Sequence, residues 1–559
     1  MSAKKKFRIT ATTTFNDVMK NKAETVGDRV FLTYIRDFDK NISEDYTYLD
    51  VHLQSNRVAN GLSKLGVSKG IGISLMEINC PEFLYTVFAT FKLGAYVVLI
   101  NTALKGATLQ YIIDHSDSKI LIIHWSMLEQ YLTIKDQLPK IRQVIIDNNE
   151  APKDFKIPDG TMSFQELMKA PDNDIDTEID FEEKAMLMYT SGTTGPPKAT
   201  TFFYRKFISG QALQIFTALP MVIGVTKKDV YFTCLPLFHG NALQITTLPA
   251  FMSEFPVVLS KRFSASRHWD ICRKYNVTIF NTLGAMPQFL LKQPERPNDG
   301  ENNVRIVVSA ACPKEMIEPF EERYNVAVKE FYGAVDGGGY LLGPFFEKGA
   351  VPIGTMGKPL PGTFADIMDE AGNLLGPDEI GELVFLVDKK ELDQRKVTYY
   401  KDKESTENKI REANDGQLWF HTDDLATKDK DGWFYFVDRK KDAIRRRGEN
   451  ISPWSIERVI NQHEKVLESA AFAVKSSEYA EDEVMVSVAL KPGEKMTPEE
   501  LLDYCQDKMA YFMIPKYIDF VDVLPKSEVH RTLKQNLKER GVTETTFDRE
   551  KAGYEVKRD

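Results

Sequence analysis

Cysteine is scarce in this chain. Cys80, Cys234, Cys272, Cys312 and Cys505 are five in number, widely scattered and without C-x-x-C spacing, which argues against a disulfide framework and a zinc site and points to a reducing compartment. Long apolar runs are missing too. The segment Phe7-Arg-Ile-Thr-Ala-Thr-Thr-Thr14 that follows Lys4-Lys5-Lys6 is not a signal-type apolar region, and no stretch has the length needed to span a bilayer. A cytoplasmic location is expected, with peripheral membrane contact left open. Positive charge is in deficit, with 72 basic against 81 acidic residues and a net charge of −9. No basic block is longer than triplets such as Lys4–Lys6 and Arg445–Arg447, so a nucleic-acid partner is not expected. Short repeats and low-complexity segments are also missing.

The chain has 559 residues, more than one core usually organises, so two or more domains are expected. From Thr12 to Ile179 helices alternate with strands. Val18–Val26 and Leu49–Leu65 read as helices, and Ile71–Met76, Tyr96–Ile100, Ile120–Ile123 and Gln143–Ile146 read as buried strands. The segment from Pro81 to Gly94 has proline at a helix start and glycine just past its end. This alternation predicts an α/β fold with a parallel sheet covered by helices.

The chemically richest stretch is Met186-Leu-Met-Tyr-Thr-Ser-Gly-Thr-Thr-Gly-Pro-Pro-Lys198, an apolar strand running into a hydroxyl- and glycine-rich loop. Thr190, Ser191, Thr193 and Thr194 offer hydroxyl donors, Gly192 and Gly195 permit close backbone approach to an anion, and Lys198 adds charge. The spacing does not match a Walker A loop. A polyphosphate cradle is the functional reading, and a solvated turn after a strand is the structural one.

The loop from Thr190 to Lys198 resembles the signature loop of the adenylate-forming superfamily, which includes acyl-CoA synthetases, luciferases and nonribosomal adenylation domains. The resemblance runs from Asn79-Cys-Pro81 to Leu524-Pro-Lys-Ser-Glu-Val-His-Arg531. It implies a large N-terminal domain of parallel-rich sheets layered with helices, residues 1–440, and a small mobile α+β C-terminal domain, residues 441–559. ATP, Mg²⁺ and coenzyme A are the implied cofactors. A small carboxylic acid is the implied substrate.

Individual positions follow from the same resemblance. Pro236-Leu-Phe-His239 matches a family motif that places His239 on the wall of the acyl pocket. Ser309, Ala310 and Ala311 offer a flat face to a purine, Tyr332 is placed to stack on it, and Gly333, Ala334 and Val335 continue the nucleotide-facing segment. The family usually has threonine and glutamate where this chain has Val335 and Asp336. Asp336 is then the expected Mg²⁺ ligand, and the backbone of Gly337-Gly338-Gly339 is a substitute for the missing hydroxyl. In Trp419-Phe-His-Thr-Asp-Asp424, Asp424 matches the ribose-binding aspartate and Asp423 stands where glycine is usual. The stretch Thr427–Gly432 reads as a D-G hairpin rather than a calcium loop.

Arg439 resembles the arginine that touches ribose and Lys441 the hinge about which the small domain turns, which puts the domain boundary near Lys440. Gly448 resembles the glycine beside the pantetheine tunnel. Beyond it, helices Ser455–His463 and Thr497–Met509 and strands Ser469–Val474, Val484–Leu490 and Tyr517–Val521 are expected. Arg531 replaces the lysine that serves the adenylating transition state in the family, with Lys534 three residues on as the alternative. The implied catalytic set is Arg531, Lys198, His239 and Lys441.

Together these features imply an acyl-CoA synthetase, with the crotonobetaine/carnitine-CoA ligase subgroup resembled in Arg447-Gly-Glu-Asn-Ile451 and the tail from Arg540 to Lys557. Phe202, Phe203, Tyr204, Phe238 and Tyr332 could line part of an aromatic-walled pocket suited to a quaternary ammonium group, although such clustering is more often core packing. A free-standing adenylation enzyme serving a carrier protein, a luciferase-like oxygenase and a non-catalytic nucleotide or CoA sensor share these motifs.

Overall fold

The structure is a computed structural model. It describes residues 7–190, 196–284, 286–310, 312, 314–333, 336, 341–343, 351–360, 363–387, 399–439, 444–476, 481–525 and 532–557.

Two seven-stranded sheets dominate the chain up to residue 330. The first runs in the spatial order Ala327–Glu330, Ile306–Ala310, Ile279–Leu283, Tyr231–Thr233, Val257–Ser260, Val30–Asp37, Ile42–Thr47. The second runs Met162–Ser163, Gln143–Asp147, Ile120–His124, Gly72–Met76, Tyr96–Leu99, Lys184–Thr190, Lys198–Phe203. In each, all neighbours are parallel except one antiparallel edge pair. Central strands such as Gly72–Met76 and Ile120–His124 are buried along their whole length, as parallel strands covered on both faces must be.

The helix Pro81–Lys92 is buried at nearly every position. It begins with proline and is followed by Gly94 at φ +64°, which matches the start and stop read from the sequence. Phe88 on this helix packs against Phe15 at 5.1 Å and Phe251 at 5.3 Å between ring centroids. At the helix end, buried Lys92 sends its Nζ to His52 Nδ1 at 3.2 Å and to Asn56 Oδ1 at 2.5 Å.

Asn79, just before this helix, ties the two sheets together. Its side-chain amide donates to the carbonyls of Leu235 at 2.9 Å and Ser260 at 3.0 Å, and its Oδ1 accepts from the Leu237 amide at 2.8 Å. A buried asparagine with these bonds made is a fixed rivet, and it sets the loop that carries His239.

An antiparallel five-stranded sheet follows, containing Ala365–Met368, Gly381–Val387, Leu418–Lys428, Ile410–Glu412 and Phe434–Arg439. The turn at Asp431-Gly432, with Gly432 at φ +80°, is the expected hairpin. The C-terminal region has a hairpin of Ile444–Arg446 and Glu449–Ile451 and a mixed four-stranded sheet of Val466–Lys475, Asp482–Leu490, Tyr517–Phe520 and Phe547–Asp548. Its helices span Pro453–Ile460, Pro498–Gln506 and Lys534–Arg540, and the first two each end three residues earlier than expected. This region has its own core, against which Ala103 and Leu104 of the large domain pack. Among the described residues no helix is long and apolar enough to cross a membrane, and all five cysteines are buried and outside any disulfide.

Candidate active site

The segment read as a phosphate cradle lies between two antiparallel strands. Thr190 closes one strand and Lys198 opens the antiparallel return strand directly opposite it. The Thr190 hydroxyl donates to the Lys198 carbonyl at 3.4 Å, while Ser191, Gly192, Thr193, Thr194 and Gly195 lie outside the described residues. Tyr399 bridges to Thr200, and the Tyr400 amide donates to the Ala199 carbonyl at 2.8 Å, laying the next segment along the return strand. Lys198 Nζ consequently meets the Ser405 hydroxyl, Asp402 Oδ2 at 3.6 Å and the Tyr399 ring at 5.7 Å from its centroid.

From Tyr399 the network continues. Its hydroxyl donates to Asp336 Oδ2, and the same oxygen pairs with Lys409 Nζ at 2.9 Å. Lys409 also reaches Asp423 Oδ2 at 3.2 Å and the His421 carbonyl at 3.1 Å. Burial pushes the Asp336 carboxyl upwards, but the Lys409 charge and the Tyr399 hydroxyl outweigh it and hold the group below the ordinary carboxylate range. Lys409 is the mirror case: burial opposes its charge, and Asp336 and Asp423 raise it above the ordinary lysine value.

Asp423 adopts φ +66°, a left-handed conformation in which aspartate is better tolerated than most residues. Its amide donates to Oε1 of the buried Glu382 at 3.0 Å, and Glu382 Oε2 holds His421 Nδ1 at 3.0 Å. Next in the chain, Asp424 accepts from the Tyr332 hydroxyl at 2.7 Å, which joins the expected ribose ligand to the expected adenine-stacking ring. Burial, with the Asp424 charge behind it, raises the Tyr332 phenol well above its usual value. Arg439 pairs with Asp424 across the strand register.

Ser309 and Ala310 lie at the carboxyl end of their strand, paired with Thr282 and Leu283 on one side, and Ser309 with Glu330 on the other. Carboxyl ends of parallel strands are where ligands bind in such sheets. Ala311, Ala334 and Val335 fall outside the described residues, while Gly333 pairs with Leu341. The second sheet reaches the same place. Gln244 Nε2 lies 3.0 Å from the sulfur of Met188, two residues before Thr190.

The C-terminal hairpin is seated on these strand ends. A Cβ at Gly448, φ +78°, would stand 3.3 Å from Leu283 Cδ2, and the Gly448 amide donates to Glu481 Oε1 at 3.1 Å. Glu449 Oε1 meets His239 Nε2 at 3.1 Å. Burial pushes the Glu449 carboxyl up, and its pairing with His239 brings it below the ordinary range. Arg446, 2% exposed, roots the hairpin by donating to the Phe512 and Ile514 carbonyls at 3.1 and 2.9 Å, and its Nε lies 2.6 Å from Glu483 Oε2 without the angle of a hydrogen bond.

A divalent ion on Asp336 would stand roughly 4 Å from the Lys409 ammonium, where the repulsion is roughly 8 kcal/mol at an effective dielectric near 20. The donor set around Asp336 therefore does not fit a protein-held Mg²⁺. Of the aromatics, Tyr204 packs in the core, as such rings more often do, being 1% exposed with its hydroxyl donating to the Ala95 carbonyl at 2.7 Å. Phe202 packs on Phe207 at 5.1 Å, and Phe238 lies beside His239 at 4.6 Å. The hinge Lys441, the boundary near Lys440 and Arg531 lie outside the described residues. Lys534, the alternative to Arg531, is paired with Glu457 at 2.7 Å. Lys409, Tyr399 and Glu382 were missed by sequence reasoning, because they belong to no motif and only strand pairing and the folds of the chain around it bring them to the site. Glu449 was read only as a member of the Arg447–Ile451 loop, with no partner at His239 foreseen.

Comparison with known proteins matches residues 19–386 to the AMP-binding enzyme family and residues 455–531 to the AMP-binding enzyme C-terminal domain. The crotonobetaine/carnitine–CoA ligase of Salmonella agona (strain SL483) is 27% identical over 525 residues, covering 92% of this chain and 97% of that protein. The structure of o-succinylbenzoate CoA synthetase (MenE) from Bacillus subtilis with its product analogue OSB-NCoA superposes with a TM-score of 0.75 at 25% identity, covering 94% of this chain and 98% of that one. The anthranilate CoA ligase AuaEII shares the fold with a TM-score of 0.68 at 22% identity, covering 95% and 97%.

Proposed function

Because the chain belongs to the AMP-binding enzyme family, we propose that it is an AMP-forming acid–thiol ligase that converts a carboxylic acid to its acyl-adenylate and then to an acyl-CoA. The observation that carries this reading is the seat of Gly448. The hairpin bearing it rests on Leu283 at the strand ends where Ser309 and Ala310 also lie, so the thiol-side loop and the adenine face share one place.

The chemistry follows from the weakness of a carboxylate as an electrophile. Its oxygen attacks the α-phosphorus of ATP, forming an O–P bond as the bond to pyrophosphate breaks. Lys198, the hydroxyls and amides from Thr190 to Gly195, and Arg531 stabilise the charge that develops on the departing phosphates. Tyr332 and Asp424, held together by their hydrogen bond, receive the adenosine, with Arg439 beside Asp424. In the second reaction the CoA thiol loses its proton and its sulfur attacks the acyl carbon, forming the thioester as the bond to AMP breaks. ATP, Mg²⁺ and CoA are the cofactors, and the magnesium ion arrives on the phosphates of ATP.

The two reactions use one pocket in two domain poses, residues 1–440 against residues 441–559, turning at Lys441. The arrangement with Gly448 seated and His239 paired to Glu449 suits the thioester step. Five buried cysteines, none in a disulfide, favour a reducing, cytoplasmic setting, and the charge balance favours a small-molecule substrate over nucleic acid.

The test is direct. The full chain is incubated with ATP, Mg²⁺, CoA and a panel of acids that includes carnitine, crotonobetaine, aromatic and aliphatic members. Mass spectrometry should find acyl-CoA and AMP with at least one acid, and Arg531→Ala should lower adenylate formation by orders of magnitude while sparing thioester formation from supplied acyl-adenylate. ATP and CoA binding without turnover on any acid would instead identify a sensor.

A further inference from the structure

Lys409 was not anticipated from any motif, yet it sits among the residues assigned to the nucleotide. An ammonium has three donors, and three acceptors meet this one: Asp336 Oδ2 at 2.9 Å, the His421 carbonyl at 3.1 Å and Asp423 Oδ2 at 3.2 Å. The cage is built rather than incidental. The Lys409 side chain is only 9% exposed, Glu382 fixes both the Asp423 amide and the His421 ring, and Tyr399 fixes Asp336.

Two of the chain's departures from its family's pattern meet in this cage. Asp336 stands where a glutamate is usual, and Asp423 stands where glycine is usual. A glycine there would leave Lys409 with one carboxylate fewer. We propose that Lys409 is a tethered cation that occupies the place of a protein-held divalent ion at Asp336, with Asp336 and Asp423 as its counter-ions. The inference rests on the nucleotide-site reading above. Its consequence is that the protein supplies no metal ligand at this point. Lys409 is a positioning residue, holding the strand end that carries Asp424 against the segment that carries Asp336.

The test is a manganese titration of the nucleotide-free full chain, followed by electron paramagnetic resonance. The native chain should show no site tighter than about 1 mM, the weak end of oxygen-ligand sites. Lys409→Met removes the charge at similar length and should create one site at least tenfold tighter, which Asp336→Asn in the same chain should abolish. Lys409→Gln, which keeps a polar tip, is run alongside in case the methionine variant does not fold, and the same gain is expected. Lys409→Arg should show no site. Manganese binding by the native chain that is lost in Asp336→Asn would overturn the proposal, as would failure of both neutral variants to acquire a site. ATP binding measured separately by calorimetry, with and without EDTA, reports on the functional reading alone, since the manganese titration needs no nucleotide.

Discussion

Lys198 is held in the structure by Asp402 and Ser405, with a side chain about one-third exposed. To serve a phosphate it exchanges one acidic partner for another, so its contribution is to the leaving pyrophosphate rather than to stability. Removing one donor of this kind typically lowers rate by about two to three orders of magnitude. Lys198→Ala is expected to slow ATP–pyrophosphate exchange about 100-fold while leaving the thermal midpoint within a few degrees, and unchanged exchange would remove the cradle from the mechanism. Lysine, glycines and hydroxyls in this loop could be read as a group because they are adjacent in sequence. Lys409 was not. It lies beside the short strand Ile410–Glu412, and its role comes from being opposite His421 in a sheet register that no local pattern encodes. Tyr399 was likewise invisible, since its hydroxyl reaches Asp336 across 63 residues of chain.

Elements were easier to read than their chemistry. The strands around Gly72–Met76 and the helix Pro81–Lys92 follow from apolar runs, proline and glycine, signals that sit within a few residues of the structure they specify. What the pattern hides is Lys92, a charged residue on the last turn of that helix that is fully buried. Burial lowers its pKa from 10.5 to about 7, with the Asp174 carboxylate opposing. The folded chain therefore holds this proton less tightly than the unfolded chain. Between about pH 7 and 10.5 the unfolded state binds more protons, so this residue's contribution makes stability rise with pH across that window. Below about pH 7 both states are protonated and the penalty of the buried charge is at its full size. Comparison of urea unfolding for the native chain and Lys92→Met should show the native chain gaining roughly 3 kcal/mol relative to the variant between pH 7 and 9.5. Parallel pH profiles for the two would mean that Lys92 keeps its proton when buried.

For the whole molecule, the order of motifs along the chain allowed two domains to be expected, but not how they meet. That contact depends on surfaces, such as Ala103-Leu104 against the small core and Gly448 against Leu283, whose complementarity has no signature in either segment alone. Gly448 has a left-handed φ and a near neighbour at Leu283, so a leucine there is strained by about 1–2 kcal/mol and obstructs the seat. Gly448→Leu should slow thioester formation more than tenfold while changing pyrophosphate exchange less than twofold. Equal slowing of both reactions would separate this loop from the thiol. The roots of the same hairpin carry a further consequence. Arg446 anchors it to carbonyls in the small domain's own core, so Gly448 does not wander as a loop tip would. In the proposed two-pose cycle, Gly448 then travels with the small domain as one body, and access for the thiol is coupled to that domain's turn rather than to a loop motion of its own.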